Sequence, residues 1–491
     1  MYSLTTEGEL KMSVSFKRAS ARVGVITVGH EPYWEQFPGL REELIGYGKE
    51  FEAMLAANEV EVISAGFVDN VDKSFAAASY LKRQDIDFLF CFLSTYVTSS
   101  SAATAILNVG VPTVLVALQP RQRLDYRNTT TYMQLANDNI CSLPEIGGVL
   151  IRAGKPAAGM IVGTLHDDPR AANELRSWCQ VANARRAFKH ARIGYLGHTY
   201  EGMYDMNSDP TAFTAAFGSH VQMLEMCDLA KLVNGVSAAE TADKIDEIKS
   251  VFTIADPFID PVTRPIKQED LEWSAKVAVG LDKLVAENGL TGLAYYYRGV
   301  DGNEYERIGS NLVLGNSLLT GKGIPLAGEA DLKTCAAMLI MDRLDAGGSF
   351  AELHPCDFVD DIVLVGHDGP HNIKISDGRP IIRGLDLFHG KRGSGIGVEF
   401  SIKSGPVTLL GISQTADGKF KMIATEGESI KGEIPQTGNT NTRCSFGCSV
   451  AEFVEKWCSA GPTHHFALGV GHVAPKIRNV AKVLGIELQI V

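Results

Sequence analysis

No stretch of roughly 20 consecutive apolar residues occurs anywhere in the chain, so nothing in it reads as a membrane-spanning helix. The first residues, Met1 to Arg22, carry scattered charges (Glu7, Glu9, Lys11, Lys17, Arg18) and no long apolar core, so a secretory signal is not expected there. Positive charge is in short supply. Lys and Arg number 46 against 58 Asp and Glu, a formal net charge of -12. Such a surface repels phosphate backbones and anionic headgroups, which argues against nucleic acid and membrane as partners. It is no obstacle to a neutral sugar or a metal cation.

An even set of cysteines is also missing. The nine present sit mostly in apolar surroundings, such as Cys91 within Phe88-Leu89-Phe90-Cys91-Phe92, which suits reduced thiols in a cytoplasm. Cys444, Cys448 and Cys458 lack the tight pair and fourth ligand of a structural zinc site and are read as separate thiols. Several catalytic signatures are absent too: there is no G-x-S-x-G and no H-E-x-x-H. The glycine-rich run Gly390-Lys391-Arg392-Gly393-Ser394-Gly395-Ile396-Gly397 leads into the strand-like Val398-Glu399-Phe400-Ser401-Ile402 rather than a helix. A dinucleotide loop must open a helix, so this is read as a tight turn. Gly321-Lys322 has no Ser or Thr after it, and Gly315 lies one residue too far away for a phosphate-binding loop.

What is present is enough for large cores. The 491 residues are 45% hydrophobic and 21% charged, near globular averages, and the length predicts several domains. The first third alternates apolar runs (Val23–Val28, Val60–Ala65, Asp87–Phe92, Pro112–Ala117) with helix-like stretches (Leu40–Ala57, Lys73–Arg83, Ser99–Val109). That alternation predicts a doubly wound parallel sheet. A helix-like segment, Arg170 to Lys189, precedes a second such unit opening at Ala191-Arg192-Ile193-Gly194 and running through Ala238–Val251, Gln268–Asn288 and Gly292–Tyr297. From about Asp361 short β-like runs follow one another: Ile362–Val365, Asn372–Ile375, Gly395–Ile402, Val407–Ser413, Phe420–Thr425. Asp-Gly turns between them indicate an antiparallel sheet or barrel. The expected architecture is therefore α/β: two doubly wound domains, 1–189 and 190–345, then a β-rich, barrel-like domain, 346–491.

Four polar segments in the second half carry candidate chemistry. They are Ala327-Gly328-Glu329-Ala330-Asp331-Leu332-Lys333-Thr334, Gly348-Ser349-Phe350-Ala351-Glu352-Leu353-His354, Val363-Leu364-Val365-Gly366-His367-Asp368-Gly369 and Gly461-Pro462-Thr463-His464-His465-Phe466. Each alone is ordinary. An acid such as Glu329 caps a helix, an isolated Glu lies on a surface, and a histidine ends a strand. Taken together, the carboxylates and imidazoles form a sensible ligand set. Carboxylates suit Mg²⁺ and Mn²⁺, and imidazole shifts the preference toward Mn²⁺ or Co²⁺. Paired carboxylates beside such an ion also suit proton transfer between adjacent carbons, as in an aldose–ketose conversion, with no redox cofactor required.

In order along the chain these segments resemble the L-arabinose isomerase family, with kinship to L-fucose isomerases. The family shows A-G-E-G-D-W-K-T where this chain has Ala327 to Thr334, S-F-M-E at Ser349 to Glu352, V-L-G-x-H near His367, and G-x-H-H before Phe466. The resemblance implies an Mn²⁺ site made by Glu329, Glu352, His367 and His465, with Glu329 and Glu352 as the acid/base pair and His464 touching substrate. It implies a homohexamer with active sites between subunits, closed by a neighbour's N-terminal domain. That gives a role to Gly29-His30-Glu31-Pro32-Tyr33-Trp34, so His30, Tyr33 and Trp34 are candidate substrate contacts. Tyr296 and Tyr297, ending an expected strand, suit either an aromatic pocket wall or core packing; Tyr297 is the candidate contact.

Two departures leave the sugar open. The motif spacings are shorter than in the arabinose enzymes, and Leu135-Ala136-Asn137-Asp138-Asn139 lacks the histidine those enzymes place nearby. The alternatives are an isomerase for another or less common aldose, a non-catalytic cytoplasmic sugar-binding protein, and a metal-dependent lyase or epimerase.

Overall fold

A computed structural model describes residues 19–491, except 258, 301, 370 and 387–394. The glycine-rich run is therefore outside the described residues up to Ser394. Two compact units emerge, Ala19–Ala187 with Arg478–Gly485, and Phe188–Ile477 with Ile486–Val491.

The N-terminal unit is a parallel sheet of β1 (Arg22–Val28), β2 (Glu61–Val68), β3 (Phe88–Leu93), β4 (Thr113–Gln119) and β5 (Gly159–Thr164), in the order β2-β1-β3-β4-β5. β1, β3 and β4 are buried almost throughout, as strands covered by helices on both faces must be. Their uninterrupted apolar runs made them legible. β5, with two glycines and only one fully buried residue, is an edge strand that gives no such run. The strand order reverses between β1 and β3, where the carboxyl ends of a doubly wound sheet open a crevice.

The second unit begins with β6 (Arg192–Gly197), β7 (His220–Leu224), β8 (Thr253–Ile254), β9 (Thr263–Arg264), β10 (Gly292–Tyr296) and β11 (Leu326–Ala327). Four of these form a parallel sheet in the order β11-β10-β6-β7. The helix Leu332–Arg343 follows, buried at every position from Leu332 to Asp342, so protein surrounds it on all sides. Then come β12 (Ser349–Asp357), β13 (Ile362–His367), β14 (Ile381–Leu385), β15 (Gly395–Glu399), β16 (Gly405–Gln414), β17 (Phe420–Ser429), β18 (Thr440–Ser445), β19 (Phe466–Val470) and β20 (Glu487–Ile490). Six strands, β16-β19-β12-β13-β18-β17, are antiparallel and close on themselves through β17 and β16, making a barrel; β20 adds in parallel to β17. Closure removes the exposed edges an open sheet would leave. A smaller sheet joins β14 and β15 to β8 and β9.

One expectation fails locally. Asn372–Ile375, expected as β, is a 3₁₀ turn over Ile373–Ile375. The Asn372 side chain accepts a hydrogen bond from Lys374 N at 3.1 Å, giving the backbone a local partner in place of a ladder. Among the described residues no helix is long and apolar enough to cross a membrane.

Candidate active site

β12 lies between β13 and β19, and its register gathers the site. Glu352 pairs with Gly366, one residue before His367, and Ala351 pairs with Phe466, one residue after His465. Residues far apart in the chain therefore meet at one end of the barrel wall. Phe350 sits beneath them, its ring centroid 4.7 Å from that of His367 and 4.3 Å from that of His465.

Glu329 arrives from the other side, on the turn between β11 and the buried helix. Its φ is +56°, and that of Ala330 is +57°. Two successive non-glycine residues in the left-handed region carry strain, which persists only where the surroundings impose it. Here Tyr200 N donates to the Glu329 carbonyl at 3.3 Å, and Asp331 caps the helix immediately after.

The two histidines are oriented from behind. Asp331, fully buried, lies 3.5 Å from His465 Nδ1, and Asp368 lies 3.0 Å from His367 Nδ1. Gly369 N–H donates a hydrogen bond to His367 Nδ1 at 2.8 Å. The two Nε2 atoms face each other at 3.3 Å. Glu329 Oε2, buried and without a hydrogen-bond donor, stands 3.3 Å from His465 Nε2. Ligand atoms of Glu352, His367 and His465 all lie within 4.8 Å of one another.

Glu352 is the hub of the opposite wall. Its Oε1 is 3.1 Å from His354 Nε2, and its Oε2 pairs closely with His464 Nε2. Burial opposes its ionisation, but the two histidine bonds and the nearby imidazole charges outweigh burial and hold the carboxyl well below the usual range. The Glu352 bond is the main reason that His464 is raised.

Of the residues singled out in the sequence, Glu329, Glu352, His367, His465 and His464 come together. Tyr297 does not: it packs on Tyr305 at 5.7 Å in the apolar cluster of the central domain. Successive strand residues point to opposite faces, so its neighbour Tyr296 takes the other side. There Tyr296 meets His198 at 5.3 Å and Tyr200 at 5.2 Å, close enough to Glu329 to feel its charge. His30, Tyr33 and Trp34 belong to the N-terminal unit. His30 follows β1 at the point where the strand order reverses, edge-on to Tyr33 at 4.7 Å and to Tyr96, after β3, at 5.8 Å. Trp34 is tied to Asp69 through its Nε1 at 3.0 Å.

Residues 192–347 match the model of the L-arabinose isomerase central domain, and residues 347–487 match that of the L-arabinose isomerase C-terminal domain. The chain belongs to the L-arabinose isomerase family. An L-arabinose isomerase of Nocardioides sp. is 23% identical over 333 residues, covering 66% of this chain and 64% of the relative. One of Escherichia coli (strain K12) is 21% identical over 339 residues, covering 66% and 65%. The match thus spans just under two thirds of either relative's length, and the matched domains include all four segments that carry the family's motifs here.

Sequence reasoning assigned no role to Asp331, which holds the site from below. Its carboxylate accepts from Lys333 N at 3.0 Å, Thr334 N at 3.1 Å and Thr334 Oγ1 at 2.8 Å. Burial works against its charge, but the His465 ring, the Lys333 charge and these donors win, so the carboxyl is held below its ordinary value. A depressed folded pKa adds stability that is present above the unfolded value and lost as pH falls through the folded one. Asp331→Asn keeps an oxygen for the helix amides and removes the charge. We expect it to lower stability by about 2 kcal/mol at neutral pH, with the gap from wild type closing below about pH 4. Thermal unfolding from pH 7 to 3, with chelator present, measures this; a gap independent of pH would show that the charge is not what stabilises.

Proposed function

We propose that the protein is an aldose–ketose isomerase acting on a free pentose or hexose of the L-arabinose or L-fucose type, with one divalent cation held by Glu329, Glu352, His367 and His465. The observation that carries this is the pair of Nε2 atoms facing each other at 3.3 Å with an undonated, buried Glu329 oxygen at 3.3 Å from one of them. Two imidazole nitrogens and a carboxylate oxygen gathered in one buried place form a donor set that a divalent cation can share. Donors roughly 2.1 Å from a shared ion stand roughly 3 Å apart, so the spacing suits coordination. The mixed oxygen and imidazole set favours Mn²⁺, with Co²⁺ or Mg²⁺ as substitutes. When bound, such an ion supplies positive charge beside the reacting carbonyl and hydroxyl oxygens.

The chain's own groups supply the proton movements. One carboxylate of the pair Glu329 and Glu352 removes the proton from C2 of the open-chain aldose. The C–H electron pair becomes the C1–C2 double bond, and the carbonyl oxygen gains a proton. The resulting enediol then loses its O2 proton and gains one at C1, giving the ketose. No electrons leave the sugar, so donors and acceptors of protons suffice. His464, half-exposed and bonded to Glu352, is placed to touch substrate. His30, Tyr33 and Trp34 extend that role to the N-terminal unit, as contacts offered to a neighbouring subunit's site in a cytoplasmic homohexamer.

The test is ketose formation from a panel of aldopentoses and aldohexoses by chelator-stripped protein, with and without added Mn²⁺. Mn²⁺-dependent ketose from one sugar is the expected result. Sugar binding without ketose, with Mn²⁺ bound, supports a sugar-binding protein instead; absence of bound metal overturns the cation site.

A further inference from the structure

The first turn of the helix Leu332–Arg343 does more than cap itself. Lys333 is 1% exposed, yet its ammonium is not wasted in the interior. It donates to Met206 O at 2.9 Å, Asn207 O at 3.1 Å and Ser208 Oγ at 2.9 Å. A buried ammonium is tolerated only with such a full set of acceptors. All three belong to the turn that follows β6. Immediately before them in the chain, Asp205 accepts a hydrogen bond from His464 N at 2.7 Å through Oδ2. The His464 ring, in turn, bonds Glu352. The same loop is pinned at its start, where Tyr200 N meets the Glu329 carbonyl.

We propose that Lys333 is a positioning residue for the Glu352–His464 pair, acting through the 206–208 turn and Asp205. The helix start then sets three parts of the site together: Glu329 through the preceding turn, His465 through Asp331, and His464 through Lys333 and Asp205. This inference rests on the isomerase reading, because it assigns Lys333 a share in turnover. The Lys333 ammonium spends its hydrogen bonds on the 206–208 turn. Burial lowers its ammonium pKa, and the charges of Asp331 and Asp205 oppose that, which places both carboxylates near the same cation.

The experiment compares wild type, Lys333→Met, Asp205→Ala and the double variant in the Mn²⁺-loaded full chain. It measures kcat and KM on the sugar that wild type converts, and Mn²⁺ affinity from the free-ion resonance. Misplacing one member of a reacting pair by about 1 Å costs about 100-fold in turnover, and a loss of that order in kcat is expected for each single variant. KM and Mn²⁺ affinity, which also draw on Glu352 and His464, should shift far less than kcat, and the circular dichroism should stay at wild type, which general unfolding would not allow. The double variant should be no slower than the worse single one, since both changes cut the same link. Wild-type kcat in a folded Asp205→Ala protein overturns the proposal, as do losses that multiply in the double variant. Asp205 is exposed, so its variant decides the matter even where Lys333→Met fails to fold. No ketose from wild type on any aldose overturns the isomerase reading itself.

Discussion

On the isomerase reading proposed above, Glu352→Gln will yield a folded protein whose aldose-to-ketose turnover is at least about 1,000-fold below wild type, within the range expected for loss of a positioned acid/base group. Glutamine has the shape of glutamate, so β12 keeps its pairing with Gly366 and its place between β13 and β19. Two things change. The side chain no longer accepts a proton under working conditions, and one of its two acceptor oxygens becomes an NH₂ donor. Whichever way the amide turns, either His354 or His464 loses an acceptor. The fold should survive, because an imidazole without its carboxylate can shed its proton, unlike a buried ammonium or guanidinium. Ketose assay, circular dichroism and Mn²⁺ stoichiometry on one preparation check all three statements. A folded, metal-loaded variant with more than a tenth of wild-type turnover would show that Glu352 is not part of the acid/base pair.

Legibility in the sequence depends on how local the physical cause is. β1, β3 and β4 are continuous apolar runs, and short runs of that kind bounded by turn residues fit strands buried on both faces. The barrel was legible from β-like runs separated by Asp-Gly turns. Glu329 was legible only through the resemblance of its segment, since alone it reads as an ordinary helix-capping acid. β12 was not read as a strand. Its Glu352, His354 and Pro355 break the apolar pattern because the strand's exposed stretch serves the site rather than the core. Tyr296 and Tyr297 differ only by strand parity, and a one-residue offset decides which of them faces Glu329. The supporting partners were out of reach for a different reason. Lys333 meets Asn207 across 126 positions and His464 meets Asp205 across 259. No local pattern of charge or hydropathy encodes contacts of that span. They follow from the tertiary fold, in which β6 and β11 flank β10 and the loop after β6 reaches across to the turn after β11.

Gly366→Ala should be the most damaging single-methyl change near the site, costing more than about 3 kcal/mol and disrupting the proposed cation site. A Cβ at Gly366 would overlap the Thr440 carbonyl oxygen and stand 2.7 Å from its carbon and 3.0 Å from Asn441 Cα. All three are backbone atoms of β18, so no rotamer change relieves the clash. Gly366 pairs with Asn441 and His367 with Thr440, so relief requires β13 and β18 to separate next to His367. That opens a closed barrel where all six strands depend on their neighbours, and it moves His367 away from His465. The comparison is Gly418→Ala, in the turn joining β16 and β17. There φ is +79° but nothing lies within 4 Å of the added methyl. Only the backbone conformation is penalised, by about 1 kcal/mol, and metal binding is untouched. Thermal unfolding and Mn²⁺ titration of both variants test the pairing directly. If Gly366→Ala behaves like Gly418→Ala, β13 and β18 are not in register at His367, and the strand pairing is not what delivers that histidine to the site.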